Sequence, residues 1–590
     1  MENRYDLKKL ELAVQKYKKV LKRIKGKSAL VVLDITQKEA YYSLAPLSKA
    51  IDELGADINV QVIKNKSIGL DVLKDVWTCY DLMKSGVKNE QTKSLREFLA
   101  IADKKCKGKL KKAFSSPEIY LNAGKKGFEG SFSLPYSINW MKEYRVNDLL
   151  KTADVLWDQV YNLGKKERVS ISFELLRKKS LLGLPIEDYL DSFQISYAMM
   201  RAVKEHEVGM GSSSSRKGQL DDPEKISELK ATLIGCEMCK DANEPVFKKF
   251  KEVSRLLKTN RLKISSAVFG IHGKGYSGRH YFGECIGYPS KNGKTRWLSP
   301  GQIAYKLDYY PQTALDDSKP IARIAFTSTL PIDIFIKTSK INWLEMQKRD
   351  HKVIDLVDKS EYIIVEGKKF GKYQTKLKVG LISKKGVRRQ FRGSDVETRN
   401  LINPRFKKKG IFAGTMANIP GGEAFGTPEY MEGQFIGDVI ISLDQSYKLN
   451  GKNPMVVNCY GNNYKVISGP KKILDKFDEK KKDAWKKLLK QEKNKSLPKE
   501  IIDINKQNFK NIGEFAINTN PKAELCNYLI VNEKIANMIH IALGSGFDAD
   551  RPTYYHTDIV IDSPRQELNI YGVGKDGKKH WIHKKGKFVI

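Results

Sequence analysis

Near the end of the chain His540 precedes the triplet His556-Thr557-Asp558, and imidazole and carboxylate are the usual ligands of divalent transition metals. Two His and one carboxylate form a common minimal set. Two more carboxylates sit behind glycines upstream: Glu423 in Asn-Ile-Pro-Gly-Gly-Glu (418–423) and Glu514 in Ile-Gly-Glu-Phe-Ala (512–516). Five candidates suggest two metals, and two divalent ions serve hydrolysis by polarising a carbonyl and activating a water.

The local pattern predicts how these side chains are presented. The β-branched run in Tyr-His-Thr-Asp-Ile-Val-Ile (555–561) reads as a strand, on which His556 and Asp558, two residues apart, share a face. Around His540 the apolar Ile539, Ile541 and Leu543 alternate with His540, Ala542 and Gly544. That reads as a strand with room beside the imidazole, a helix being the other option. Pro420-Gly421-Gly422 before Glu423 and Gly513 before Glu514 let backbone approach closely, as a crowded centre requires.

Four blocks, NIPGGEAFGTPE (418–429), IGEFAINTNPKAEL (512–525), MIHIALG (538–544) and YHTDIVIDS (555–563), occur in an order that resembles the metallo-aminopeptidases of the aminopeptidase T type, also called thermophilic aminopeptidases. The resemblance implies that Glu423, Glu514, His540, His556 and Asp558 bind two divalent ions, which can be zinc, cobalt, manganese or magnesium. It implies removal of N-terminal residues from peptides by a two-metal-activated water, one ion anchoring the free α-amine. A homodimer is a further expectation. The family's tyrosine after the first histidine falls here on Phe547, so Tyr554, expected on the strand face of His556, is the candidate for the missing phenol. Glu429 and Glu432, close to the first ligand, are both candidates for the general base. A rival chemistry, an iron-dependent ring-opening dioxygenase, needs only His540, His556 and Asp558 and leaves Glu423 and Glu514 without a purpose.

The chain must supply the elements that position these groups. Its 590 residues suggest several domains, and 41% hydrophobic residues suffice for real cores. A net charge of +37 would suit nucleic acid or an anionic surface, yet the lysines run through the whole length, so a basic binding protein with a relict site is a lesser reading. Seven scattered cysteines argue for reduced thiols and a cytoplasmic home, and Cys236-x-x-Cys239 lacks a second pair. The charged start, Met-Glu-Asn-Arg-Tyr-Asp, gives no signal peptide, and no apolar run reaches membrane-spanning length.

In chain order, a Lys-rich amphipathic helix is expected over the first 25 residues, with Leu10, Leu12, Val14, Tyr17 and Val20 inward. A βαβ pattern follows at Ser28–Leu33, Ala45–Leu54 and Ile58–Ile63. We expect an α/β N-terminal domain (1–150), a largely helical then mixed middle region (151–350) and an α+β metal-binding catalytic domain (351–590). In the middle region, 209–223 reads as a connector, and Gly273 to Gly278 as a glycine-rich turn, since no helix follows it to make a nucleotide site. His272, His280 and Glu284 nearby read as ordinary loop residues. Strands are predicted at Tyr362–Val365, Val379–Ile382, Phe435–Leu443 and Met455–Val466. A basic helix is predicted at 475–496 with Phe477, Trp485, Leu488 and Leu489 as its apolar stripe.

Overall fold

In the computed structural model the described residues are 323–590, except 394–415, 495–498, 547–549 and 552. Before these come 4–22, 28–34, 38–63, 119–122, 132–133, 140, 145–161, 168–172, 176, 178, 185–202, 207–208, 267–272, 286–289 and 295–298. The Cys236–Cys239 pair, the 209–223 connector, the Gly273 to Gly278 turn, His280, Glu284 and Phe547 fall outside them. The chain divides into two compact units, Met1–Tyr276 with Gly287–Arg296 and Tyr305–Ile336, and Ser277–Ile286 with Trp297–Ala304 and Lys337–Ile590.

In the first unit helix α1 (Leu7–Val20) starts at Asp6, whose side chain accepts from the Lys9 amide. Leu10, Ala13, Val14, Tyr17 and Leu21 recur at helical spacing and are buried, whereas Leu12 is on the outer side and 51% exposed. Strand β1 (Ser28–Asp34), helix α2 (Lys38–Glu53) and strand β2 (Asp57–Ile63) form the βαβ unit where the pattern places it. The strands of this unit are parallel, and β3 (Ile119–Asn122) and β4 (Phe132–Ser133) extend the sheet in the order β2-β1-β3-β4. Two helices, α3 (Val146–Val155) and α4 (Ile186–Ala202), pack on each other. Among the strands that follow, β5 (Arg168–Ser172), β6 (Glu207–Val208), β7 (Ala267–His272) and β8 (Arg323–Ser328) lie parallel in the order β8-β7-β5-β6.

The second unit is built from two antiparallel sheets. Strands β9 (Tyr362–Phe370), β10 (Tyr373–Gly380), β13 (Tyr430–Gly437), β16 (Met455–Tyr460), β17 (Asn463–Ser468), β21 (Asn569–Val573), β22 (Lys579–Lys584) and β23 (Lys587–Phe588) make one, in the order β17-β16-β13-β10-β9-β21-β22-β23. The other holds β11 (Arg392–Gly393), β12 (Glu423–Gly426), β14 (Ile440–Ser442), β15 (Ser446–Lys448), β18 (Ile512–Asn518), β19 (Ile539–Gly544) and β20 (His556–Ile561), in the order β11-β12-β18-β19-β20-β14-β15. The run Phe435–Leu443 is therefore not one strand: it breaks at Asp438 and crosses from the first sheet to the second. Met455–Val466 is likewise a hairpin of two strands turning at Gly461, which has φ +61°.

A single apolar cluster lies between the sheets. It joins Ile363, Val365, Leu377, Val379, Met431 and Phe435 of the first to Phe515, Ile517, Ile539, Ile541, Leu543, Ile559 and Ile561 of the second. Helix α5 (Trp343–Asp358) adds Val353, Ile354 and Val357, and the basic helix α6 (Lys471–Lys493) adds Ile473, Phe477, Ala484 and Leu488. Trp485 packs partly buried on the cluster, but Leu489 is 41% exposed, so the stripe of α6 runs through Ile473 and Ala484 instead. Among the described residues no helix is long and apolar enough to cross a membrane.

One core residue breaks the pattern. His583 on β22 is fully buried against Phe588, with ring centroids 4.3 Å apart, and neither ring nitrogen has a hydrogen-bond partner. Burial pushes its pKa down to about 3, from an ordinary value near 6.5. Between those values the unfolded chain binds a proton that the folded one refuses, so the stability present above pH 6.5 is lost as pH falls towards 3. His583→Phe should raise unfolding stability at pH 7.5 by about 1–3 kcal/mol and remove part of this acid sensitivity. Urea midpoints at pH 7.5 and 5 check this; an unchanged or lower midpoint at both would show that the ring nitrogens cost nothing.

Candidate metal centre

The register of the second sheet explains how ligands distant in sequence meet. Ala542 lies opposite Glu514 on one side and Asp558 on the other, His540 opposite Ala516 and Val560, and Gly544 opposite His556. Directly opposed residues share a face, so Glu514, His540, His556 and Asp558 all project from the same side of β18, β19 and β20. Glu423 pairs with Asn518 and joins that side from β12. The opposite side carries Phe515, Ile517, Ile539, Ile541 and Leu543 into the core. Ala516, Ala542 and Gly544 in the middle of the ligand face supply the space that the alternation around His540 predicts.

Gly513 sets the aim of Glu514. The register slips between Ile512 and Glu514, so Gly513 is the extra residue of a β-bulge, and Ile512 and Glu514, two positions apart, point to opposite faces. A Cβ at Gly513 would lie 2.1 Å from the Ser545 carbonyl oxygen. Gly422, at φ +119°, would place one 2.7 Å from the Asn520 nitrogen. The close approaches that the glycines permit are thus to neighbouring backbone, which locks the ligand-bearing strands together.

All five residues are buried, from 1% exposure at His540 to 9% at His556. They form two groups that share Glu514: Glu423, Glu514 and His540, then Glu514, His556 and Asp558. Glu514 Oε1 lies 3.4 Å from His540 Nε2, and Oε2 lies 3.4 Å from His556 Nε2. Glu423 Oε2 is 3.6 Å from His540 Nε2, and Asp558 Oδ1 is 3.0 Å from His556 Nε2. Three of these four spacings exceed a hydrogen bond, yet two atoms each about 2.1 Å from one tetrahedral ion stand roughly 3.4 Å apart. Glu423 Oε2 is buried without a hydrogen-bond partner. The donor set and its spacing fit divalent ions.

Neighbouring groups orient the imidazoles. His540 Nδ1 is 2.8 Å from the Asn518 side-chain oxygen, and His556 Nδ1 is 2.7 Å from the Ser545 carbonyl. Both acceptors draw the ring proton to Nδ1 and turn Nε2 towards the carboxylates, the usual support of a metal-ligating His. Ser442 Oγ donates to Asp558 Oδ2 at 3.1 Å and accepts from the Asp558 amide at 2.8 Å. Burial alone would raise the Glu514 carboxyl, but the two imidazoles beside it hold it down at about 2. Burial would lower His540, yet Glu514 and Glu423 raise it to about 9, and Asp558 with Glu514 raises His556 well above its ordinary value.

The three catalytic candidates, Glu429, Glu432 and Tyr554, belong to neither ligand group. Glu429 is held by Arg389 Nε at 2.7 Å, with Arg551 at 3.5 Å, and Arg389 is in turn paired to Asp550; a carboxylate engaged in this way is a poor proton acceptor. Glu432 is exposed on β13. Tyr554 precedes β20, so the alternation that would align it with His556 does not reach it; its ring lies in the apolar cluster, 5.4 Å beneath the Lys487 ammonium. Tyr555 is buried, with its hydroxyl 2.6 Å from that of Tyr464 and bonded to the Phe509 carbonyl.

Two residues after the short helix α7 (Leu529–Asn532) had no signal in the pattern. Lys534, 1% exposed, places Nζ 2.5 Å from Glu423 Oε1 and 3.1 Å from Glu533 Oε1. Glu533 belongs to neither ligand group, and burial, with the charges of Asp558 and Glu423 added and that of Lys534 opposed, raises its carboxyl to about 7. The adjacent Glu-Lys ahead of His540 was the available clue.

No protein-family model and no curated protein matches the chain. Among solved structures, wild-type AmpT from Thermus thermophilus is similar over 76% of this chain and 100% of its own, at 15% identity and a TM-score of 0.39. An ABC-transporter solute-binding protein from Burkholderia graminis C4D1M, solved in complex with D-arabinose, is similar over 52% of this chain and 78% of its own, at 12% identity and a TM-score of 0.14. Scores of this size carry no argument about function, which rests on the site.

Proposed function

We propose that the chain is a metal-dependent aminopeptidase with a two-ion centre formed by Glu423, Glu514, His540, His556 and Asp558. The observation that carries the reading is Glu514, whose two oxygens face two different imidazoles at the same 3.4 Å. A carboxylate in that position could serve both halves of a two-ion site, and a single-iron oxygenase using His540, His556 and Asp558 would not need it. The exopeptidase assignment comes from the four ordered blocks that resemble the aminopeptidase T type.

When bound, two divalent ions would supply Lewis acidity for the peptide carbonyl and make a water acidic enough to attack near neutral pH. The protein's own groups do the rest. Asn518 and the Ser545 carbonyl fix the imidazole tautomers, and Ser442 fixes Asp558. We assign proton transfer to Glu533, a partly buried carboxylate outside both ligand groups whose pKa stays raised to about 7 although Lys534 lies 3.1 Å away, in place of Glu429, which two arginines engage.

Purified protein reconstituted with zinc, cobalt or manganese should hold two ions per chain and cleave aminoacyl p-nitroanilides, while leaving the N-acetylated forms intact. Elemental analysis and release of p-nitroaniline read both. One iron per chain, with oxygen uptake on aromatic substrates, would replace this reading with the oxygenase.

A further inference from the structure

We propose that Lys534 makes the two halves of the centre unequal, so that the Glu514–His556–Asp558 half retains its divalent ion while the Glu423–Glu514–His540 half exchanges its own. This rests on the two-ion reading above. The donor sets are otherwise alike, for each half offers one imidazole Nε2, one further carboxylate and a share of Glu514. The imidazoles are also held alike, each through Nδ1 to an uncharged oxygen.

What differs is the partner on the far oxygen of the unshared carboxylate. At Asp558 it is the neutral Ser442 hydroxyl, 3.1 Å away. At Glu423 it is the Lys534 ammonium, 2.5 Å away. An ion bound through Glu423 Oε2 would therefore share that carboxylate with a positive charge already seated on Oε1. Two cations on one carboxylate repel, and in a buried site that repulsion is poorly screened.

The ammonium is held in place. Lys534 is 1% exposed, its carbonyl accepts from the Asn520 amide at 2.9 Å, and the Asn520 side chain donates to the Gly421 carbonyl at 2.8 Å, two residues before Glu423. Glu533 at 3.1 Å offsets part of the charge. The cation nearest the other half is Lys480, but its Nζ bonds the main-chain carbonyls of His556 at 2.7 Å, Ser442 at 3.3 Å and Leu443 at 3.5 Å. Among the described residues the direct ammonium–carboxylate contact is at Glu423, whereas Lys480 acts on Asp558 through its field alone.

Metal-free full-length protein titrated with Co²⁺ alone, followed by its visible absorption, should take up two ions in steps separated by roughly tenfold or more in Kd. His540→Ala should remove the weaker step and keep the tighter one, and His556→Ala the reverse. Lys534→Met should tighten the weaker step by roughly tenfold or more and leave the tighter step nearly unchanged. The proposal is overturned if His540→Ala removes the tighter step, if Lys534→Met leaves the separation as it was, or if wild type binds both ions equally. Should Lys534→Met fail to fold, the two histidine variants still decide which half is weaker. Failure of wild type to bind any Co²⁺ would instead refute the two-ion reading itself.

Discussion

If the two-ion peptidase reading holds, Glu514→Gln should abolish binding of both ions and lower peptide hydrolysis on the order of 10³-fold or more, since such ions contribute several kcal/mol at about 1.4 kcal/mol per factor of ten. The side chain lies between two imidazoles that are themselves buried, and among the described residues no other belongs to both ligand groups. An amide keeps the shape, so the sheet should remain intact. It lacks the charge and offers only one acceptor oxygen, so neither half is left with two carboxylate ligands. Elemental analysis after dialysis, activity and circular dichroism measure the three effects. Retention of one tightly bound ion, or of a tenth of the activity, would show that Glu514 serves a single half and that the centre is not bridged.

The clustering of the candidate ligands was legible because the second sheet writes them into a short-range pattern. Period-two alternation around His540 and between His556 and Asp558 identified both strands and which side chains share a face. Gly513 announced a special backbone position before Glu514, although its bulge and the flip of face it produces are visible only in the register with β19. Longer patterns were less informative. Phe435–Leu443 reads as one apolar run because its residues are buried on both sides of the crossing, Phe435 and Ile441 in the cluster between the sheets and Val439 and Ile440 in a smaller one with Val560, and nothing local marks the crossing at Asp438.

The catalytic assistants were the least legible, since their roles depend on partners far along the chain. Glu429 looks available in its own block, but Arg389 lies 40 residues before it and Arg551 lies 122 residues after it. Tyr554 is placed by the bend before β20, not by strand alternation. Glu533 and Lys534 reach the site from a turn after α7, a place where sequence spacing carries no face information. Charge explains why such a turn is tolerated: Glu423, Glu514, Asp558 and Glu533 crowd together, and Lys534 is a fixed cation that balances part of their charge.

Loading the centre should release protons and become steeply pH-dependent. In the metal-free protein the carboxylates raise His540 to about 9 and His556 well above its ordinary value of 6.5, so at pH 7.5 both rings carry a proton that must leave when Nε2 becomes a ligand. The step at His540 should therefore strengthen by roughly tenfold per pH unit between 6.5 and 9, and the step at His556 should strengthen in the same direction as pH rises above 6.5. Calorimetric titration with Zn²⁺ at pH 7.5 in buffers of different ionisation enthalpy should show about one proton released per ion. The same shifts act on folding with the opposite slope. A histidine whose folded pKa is raised contributes stability fully present below pH 6.5 and lost as pH rises through 9, while Glu514, held at about 2, contributes above 4.5 and loses it as pH falls towards 2. With His583 losing its contribution as pH falls below 6.5, metal-free protein should accordingly resist urea best near pH 6.5, and protein saturated with Zn²⁺ on the alkaline side of that point. Zero proton release at pH 7.5 would mean that the rings are neutral before metal arrives, and then neither the slope nor the crossing of the two stability curves should be seen.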